Sequence, residues 1–253
     1  MSSQMTRSFF LACFFAVSLE VSAQPAARVF AVVSLIGDNL DVVTHQPATG
    51  TVADRNVHDL IPVKDLAFDK FAILAVEDAV KLSQPGAQVK LFAPTAPELF
   101  REQERFFVDR KAALPADLLA GLQKAAATHL LMITKFRAPT QIAIVNQKFG
   151  SGTLEGIGFY VDEWKSLRRS DTRQTAKGFM APYVYVKYSL VDLAAMAVID
   201  AVPVTVSPAV SAARSEDGID PWQALSAEQK SAALRRLITQ ETTRVVPMLM
   251  GKL

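Results

Sequence analysis

The chain has 253 residues, is 50% hydrophobic and 21% charged, and carries a formal charge of +2 with a single cysteine. Length and composition describe one globular domain, or at most two, with a core that buries roughly 70–75% of the unfolded surface and needs no disulfide or metal staple. One cysteine excludes an internal disulfide and a cysteine-rich zinc site. The near-neutral balance argues against a general electrostatic grip on nucleic acid, which needs a concentrated basic surface.

Residues 1–23 read as a secretory signal. Arg7 supplies the positive start, Phe9 to Leu19 forms an apolar run broken only by Ser18, and Val21-Ser22-Ala23 places small residues before a mature start at Gln24. A helix of that length reaches about 16 Å against roughly 30 Å of hydrocarbon, too short for a permanent span. Cys13 follows Phe10-Leu11-Ala12, with half of the apolar run after it. That is not the setting of a lipidated cysteine. The mature chain is therefore expected in the periplasm, without a thiol.

Val29 to Ile36 is a continuous apolar run and predicts a strand buried on both faces. Gly37-Asp38-Asn39 is turn chemistry, and Leu40 to Thr44 reads as a returning strand, which makes 29–44 a hairpin. Residues 46–53, with Pro47 and Gly50, read as a loop. Asp65 to Ser83 predicts a helix, with Phe68, Phe71, Ala72, Ala75, Val76, Ala79 and Leu82 on one face and Ile73, Leu74 and Val80 broadening it. Glu77 and Lys81 make a favourable pair one turn apart. Val89 to Ala93 reads as a short strand. Thr95 to Glu98 has the spacing of a capping box for the next helix.

Pro115 opens a further helix carrying Leu118, Leu119, Leu122 and Ala126, and His129 to Phe136 predicts a core strand. Residues 138–180 read as an irregular insertion punctuated by Gly150, Gly152, Gly156 and Gly158, with a polar, basic loop at 165–178. From Tyr183 apolar residues alternate, as in a half-buried strand. Met196 to Val206 pairs with it in a long hairpin, and Pro203 predicts an edge or a bulge. Ser226 and Gln229 cap a last helix, which buries Leu234, Leu237, Ile238 and Val245 and should end or kink at Pro247.

Gly37-Asp38-Asn39-Leu40-Asp41 follows a buried strand, where α/β proteins often place chemistry. The partner motifs of metallophosphoesterases and of SGNH hydrolases are missing, and Asn39 stands where the latter need serine. Turn chemistry explains it better. Asp41, His45, Asp54, His58 and Asp59 have metal-ligand chemistry but no recognised ligand spacing, and polar residues around a solvated loop explain them. The glycines at 150–158 precede Phe159-Tyr160-Val161, strand-like residues, so no phosphate loop is expected. No cofactor or metal is called for. With three histidines, none after His129, a serine triad is hard to assemble. Trp164, Arg168, Arg169, Arg173 and Lys177 combine an aromatic with basic side chains, the composition of an interaction surface, although Asp162, Glu163 and Asp171 also fit a solvated loop.

Ala127-Thr128-His129-Leu130-Leu131-Met132-Ile133 follows an alanine-rich helix, and Val184 to Leu193 leads through a turn into a second strand. Together these segments resemble the TolB N-terminal and CsgG-like envelope α/β domains. That resemblance implies action by protein contact and assembly, and carries over no catalytic residue. The expectation is one α/β domain (or α+β) over 24–253, with a mixed sheet, a long antiparallel hairpin and helices packed on it. The expected role is non-catalytic binding or assembly in the envelope, with an envelope protein or other envelope component as partner. Trp164, Arg168, Arg169, Arg173 and Lys177 are its contact residues. The alternative is a periplasmic hydrolase, metal-dependent or not, using Asp38, Asp41, His45 and His58.

Overall fold

The computed structural model describes residues 28–47, 55–94, 96–144, 147–169 and 171–253. Residues 1–27, which include the expected signal segment at 1–23, lie outside them, as do positions 48–53 of the first loop, Asp54 and the expected cap Thr95. The chain forms α/β architecture around one mixed sheet of eleven strands, three of them only two residues long. The main strands are β1 (Val29–Leu35), β2 (Asn39–Thr44), β3 (Val57–Pro62), β4 (Gln88–Phe92), β5 (His129–Lys135), β6 (Gly156–Arg168), β7 (Thr175–Asp192) and β8 (Ala197–Val206). The helices are α1 (Ala67–Ser83), α2 (Pro97–Glu102), α3 (Ala116–Lys124) and α4 (Ala227–Met250).

β7 is the axis. Along one edge its first part runs antiparallel to β6 and its second part antiparallel to β5. One column further out, β2 lies parallel to β6 and β1 parallel to β5. The sheet thus has two halves that share β7. Outermost are β3, antiparallel to β2, and β4, parallel to β1. All six residues of β3 are exposed.

β1 and β2 are not a hairpin. The bend at Ile36–Asp38 carries the chain forward from one half of the sheet into the other. A bend takes backbone N–H groups out of the ladder, and buried donors need partners. Asp69, in the first turn of α1 and 1% exposed, supplies them. Its Oδ1 accepts from Ser34 Oγ at 2.6 Å and from Ile36 N at 2.8 Å, and its Oδ2 accepts from Gly37 N at 2.9 Å. A Cβ on Gly37 would sit 2.8 Å from that Oδ2, so only glycine allows the approach. Beside the bend, Lys135 Nζ meets Asp38 Oδ1 at 2.6 Å.

Three apolar clusters make the layers. One face of the sheet, with Phe30, Val32, Phe159, Val184 and Tyr188, packs on α1 and α4. On the other face, Ala31, Val33, Met132 and Val191 pack on Phe100, Leu118 and Leu122 from the α2–α3 region. Beyond the bend, that same side buries Val43, Tyr160, Phe179, Tyr183 and Tyr185 under Ile142 and Leu154. β7 is therefore covered on both faces rather than half-buried. Its alternation records two different apolar environments, with Tyr185 and Ser189 both 0% exposed.

The expected helix at 65–83 begins at Ala67, because Asp65 and Leu66 hold left-handed backbone (φ +57° and +50°). Leu74 and Leu82 face solvent (52% and 82% exposed), since α1 lies at the surface. The helix at Pro97 starts after Ala96, with no side-chain cap. Glu77 and Lys81 pair at 2.6 Å, and the capping box at Ser226 and Gln229 is formed. Pro247 does not end α4, which runs on to Met250. Burial of Val245, Val246, Leu249 and Met250 outweighs the hydrogen bond that proline lacks. The hairpin expected at 183–206 is present as β7 and β8, but β7 starts at Thr175. Pro203 sits where β8 has no second ladder partner among the described residues. The region 138–180 is mostly regular. Only 138–155 stands apart, as two small antiparallel pairs, and it gives way directly to β6.

Burial is the largest cause that raises the Asp69 pKa, from the usual 3.8 to about 6, against the lowering effect of its three hydrogen bonds. The folded state holds this proton more tightly than the unfolded chain. Its stabilising effect is full below about pH 4 and is lost as pH rises through about 6. Between pH 7.5 and 4.5 that amounts to about 2 kcal/mol. An Asp69→Asn variant lacks this gain and sets its amide NH₂ against backbone donors. Urea titrations should show a deficit relative to wild type that is larger at pH 4.5 than at pH 7.5; a deficit growing toward pH 7.5 contradicts the assignment.

Gly158, in β6 beside β2, makes a second test. A Cβ there would fall 1.9 Å from the Asp41 carbonyl oxygen and 2.8 Å from the Tyr183 hydroxyl. Gly158→Ala should cost ~3 kcal/mol or more, a drop of about 6–12 °C in melting temperature by calorimetry.

Candidate binding groove

The predicted contact residues lie at the far end of the β6–β7 hairpin. Asp162, 7% exposed, shapes this end. Its Oδ1 accepts from Trp164 N at 2.7 Å and Lys165 N at 2.9 Å, and the ladder slips between Asp162 and Ser166. Gly178 faces the irregularity with φ +95°, and a Cβ there would press on the Asp162 carbonyl at 3.2 Å. The bulge turns Trp164 outward, 54% exposed, with Lys177 Nζ 4.7 Å above its ring.

At the tip, Arg169 N donates to Gln174 O and Arg173 N to Arg169 O. Arg168 Nε donates to Arg173 O at 3.2 Å. The Arg169 guanidinium forks onto Asp171 at 2.9 and 2.7 Å and reaches Ala213 O at 3.4 Å. That charged hydrogen bond is the chief reason the Asp171 carboxyl is held down, at about 2. The five predicted residues therefore divide. Trp164 and Lys177 form one outward patch, Arg173 occupies the turn with φ +60°, and Arg168 and Arg169 line a groove.

This groove has a volume of about 730 Å³ and lies between the hairpin tip, the segment 208–214 and α4. Ile144, Leu167, Pro208, Val210 and Leu225 make apolar surface in it, and Ala232 and Ala233 are its small-residue side on α4. Arg168, Arg214 and Arg236 join Arg169 around it. Arg214 and Arg236 are exposed, and their side chains make no ion pair or hydrogen bond with any described residue. Asp171, the one acid in the lining, is committed to Arg169. The lining contains no histidine or cysteine, and Ser211 Oγ donates to Leu167 O at 3.4 Å. Such a surface attracts anions.

Of the residues of the hydrolase alternative, Asp41 and His58 meet, while Asp38 and His45 have other partners. His58 Nδ1 meets Asp41 Oδ2 at 2.9 Å across β2 and β3. Asp38 pairs with Lys135 instead. His45 Nδ1 contacts Ser151 Oγ at 2.9 Å and Asn56 Oδ1 at 3.3 Å. Among the described residues, no three His, Cys, Asp or Glu side chains gather as metal ligands. The third histidine, His129, packs against Phe30 with tilted rings at 5.3 Å, and burial lowers its pKa.

Arg236 reads in the sequence as part of an exposed helix face, but nothing there joins it to Arg168 or to Arg214. The hairpin tip meets the segment 208–214 and α4 across some forty residues of chain, and no local pattern records that meeting.

No family model matches the chain, and no curated protein does. Among solved structures it is similar to XCC0632 of Xanthomonas campestris, described under DUF330, at 11% identity and TM-score 0.37 over 90% of both chains. It is also similar to the PelC dodecamer of Paraburkholderia phytofirmans, at 12% identity and TM-score 0.34 over 88% of this chain and 86% of that one. A third is a homolog of a neuraminyllactose-binding hemagglutinin from Helicobacter pylori, at 6% identity and TM-score 0.36 over 90% and 83%. At these values the likenesses assign no family and carry no functional weight. None of the three is named as a TolB or CsgG-like domain. Among the described residues no helix is long and apolar enough to cross a membrane.

Trp164 and Trp222 are the two tryptophans, and Trp222 packs edge-on against Phe159 at 5.6 Å under Lys230. Acrylamide should quench mainly Trp164. In a Trp164→Phe variant the residual emission should be blue-shifted and poorly quenched; unchanged quenching would place the exposed indole elsewhere.

Proposed function

We propose that this chain is an exported, periplasmic protein of the cell envelope, cleaved after Ala23, that acts by binding rather than by catalysis. Its partner is an envelope protein or another envelope component. The contact surface is the arginine-lined groove with the adjoining tip at Trp164, Arg168, Arg169, Arg173 and Lys177. The observation that carries this reading is the unpaired guanidinium groups of Arg214 and Arg236 beside Arg168, set around an apolar floor. Charge left uncompensated around a concave apolar surface is what recognition uses, since burial supplies affinity and guanidinium forks supply orientation. The signal-like pattern of residues 1–23, a positive start, an apolar run and small residues before Gln24, supports the location.

The test is in-cell cross-linking followed by capture of the tagged protein from the envelope fraction. Wild type should yield discrete cross-linked products. An Arg214→Glu/Arg236→Glu variant with an unchanged melting temperature should lose them. Identical products from both proteins would remove the groove from the contact surface.

A further inference from the structure

We propose that the groove receives an acidic, partly apolar peptide segment of the partner, with carboxylates on Arg168, Arg214 and Arg236 and apolar side chains on the floor. This rests on the binding reading above. Charge comes first. Arg169 and Asp171 cancel, which leaves three cationic groups in the lining and no free acid. The three belong to three different elements: the β6–β7 hairpin, the turn Ala212–Arg214, and α4. Guanidinium groups carried by three separate elements around an elongated lining suit carboxylates spaced along a chain, each taken by a planar fork.

The α4 wall fits the same occupant. Gln229 and Arg236 stand seven positions apart on α4, about 10 Å along the axis, which roughly three extended residues span. Ala232 and Ala233 lie between them, small enough for a main chain to come close. Gln229 Oε1 accepts from Ser226 N at 2.9 Å, so its NH₂ remains to donate to a peptide carbonyl. The volume of about 730 Å³ holds a few side chains rather than a folded domain.

Fluorescence anisotropy on the full mature chain tests this. The probes are a labelled short peptide alternating Glu and Leu, its Gln-for-Glu counterpart, and vesicles of phosphatidylglycerol in phosphatidylcholine. The acidic peptide should bind at least about tenfold more tightly than the Gln peptide and weaken from ~50 to ~300 mM NaCl. Arg214→Gln/Arg236→Gln should weaken it by about tenfold or more, whereas Arg101→Gln, on α2 and paired with Glu98, should not. Equal binding of the two peptides, or indifference to the groove variant, overturns the proposal. Arginine-dependent binding of vesicles without binding of the acidic peptide also overturns it, in favour of a lipid surface. If envelope capture still depends on Arg214 and Arg236 while the acidic peptide fails, only the peptide assignment falls and the binding reading stands.

Discussion

The carboxylate of Asp69 ties the start of α1 to the bend between β1 and β2, and the two-part sheet depends on that tie. Without acceptors for Ile36 N and Gly37 N, the bend would bury two bare donors, each costing about 1–3 kcal/mol. With them, the chain leaves one half of the sheet and enters the other without reversing. Taking a carboxylate into an apolar layer carries its own penalty, seen in the raised Asp69 pKa. The bond geometry at Ser34, Ile36 and Gly37 shows why that position is nevertheless acidic.

The second half of the sheet, in turn, is what presents the groove. β2 buttresses β6 through a contact so close that Gly158 admits no side chain. β6 and β7 then extend past the rest of the sheet to the tip where Arg168 and Arg169 sit. The helix α4, capped at Ser226 and buried along Leu234, Leu237 and Ile238, fixes the opposite wall. The groove therefore forms where two rigid elements of distant sequence meet, and its polar groups are those that the core leaves over.

Much of the fold is legible in the residues. The apolar run at 29–36, the helix ending at Ser83, the capped helix at Ser226 and the pairing of 183–206 follow from periodicity and local chemistry. The misreadings have definite physical sources. Gly37-Asp38-Asn39 has the composition of a reversal, and only the distant Asp69 shows it to be a forward bend. The alternation from Tyr183 looks amphipathic because Tyr, Lys and Ser read as polar, yet a tyrosine ring fills a core well when its hydroxyl finds a partner, as Tyr185 does with Gln141 N. The glycines near 150–158 suggest looseness, but Gly158 marks tight packing. For the site, the basic cluster was visible and its division into two surfaces was not, because bulge geometry at Asp162 decides which way Trp164 points.

β7 also has a mechanical meaning. One strand of eighteen residues runs from the tip, past β6, to the end of its ladder with β5 and β8. Antiparallel hydrogen bonds lie across the strands. A pull applied at the tip along β7 therefore loads many of these bonds at once, in shear, instead of opening them one after another. The exposed end of the hairpin is the outer part of a rod seated through the whole protein, and tension there is borne by the core.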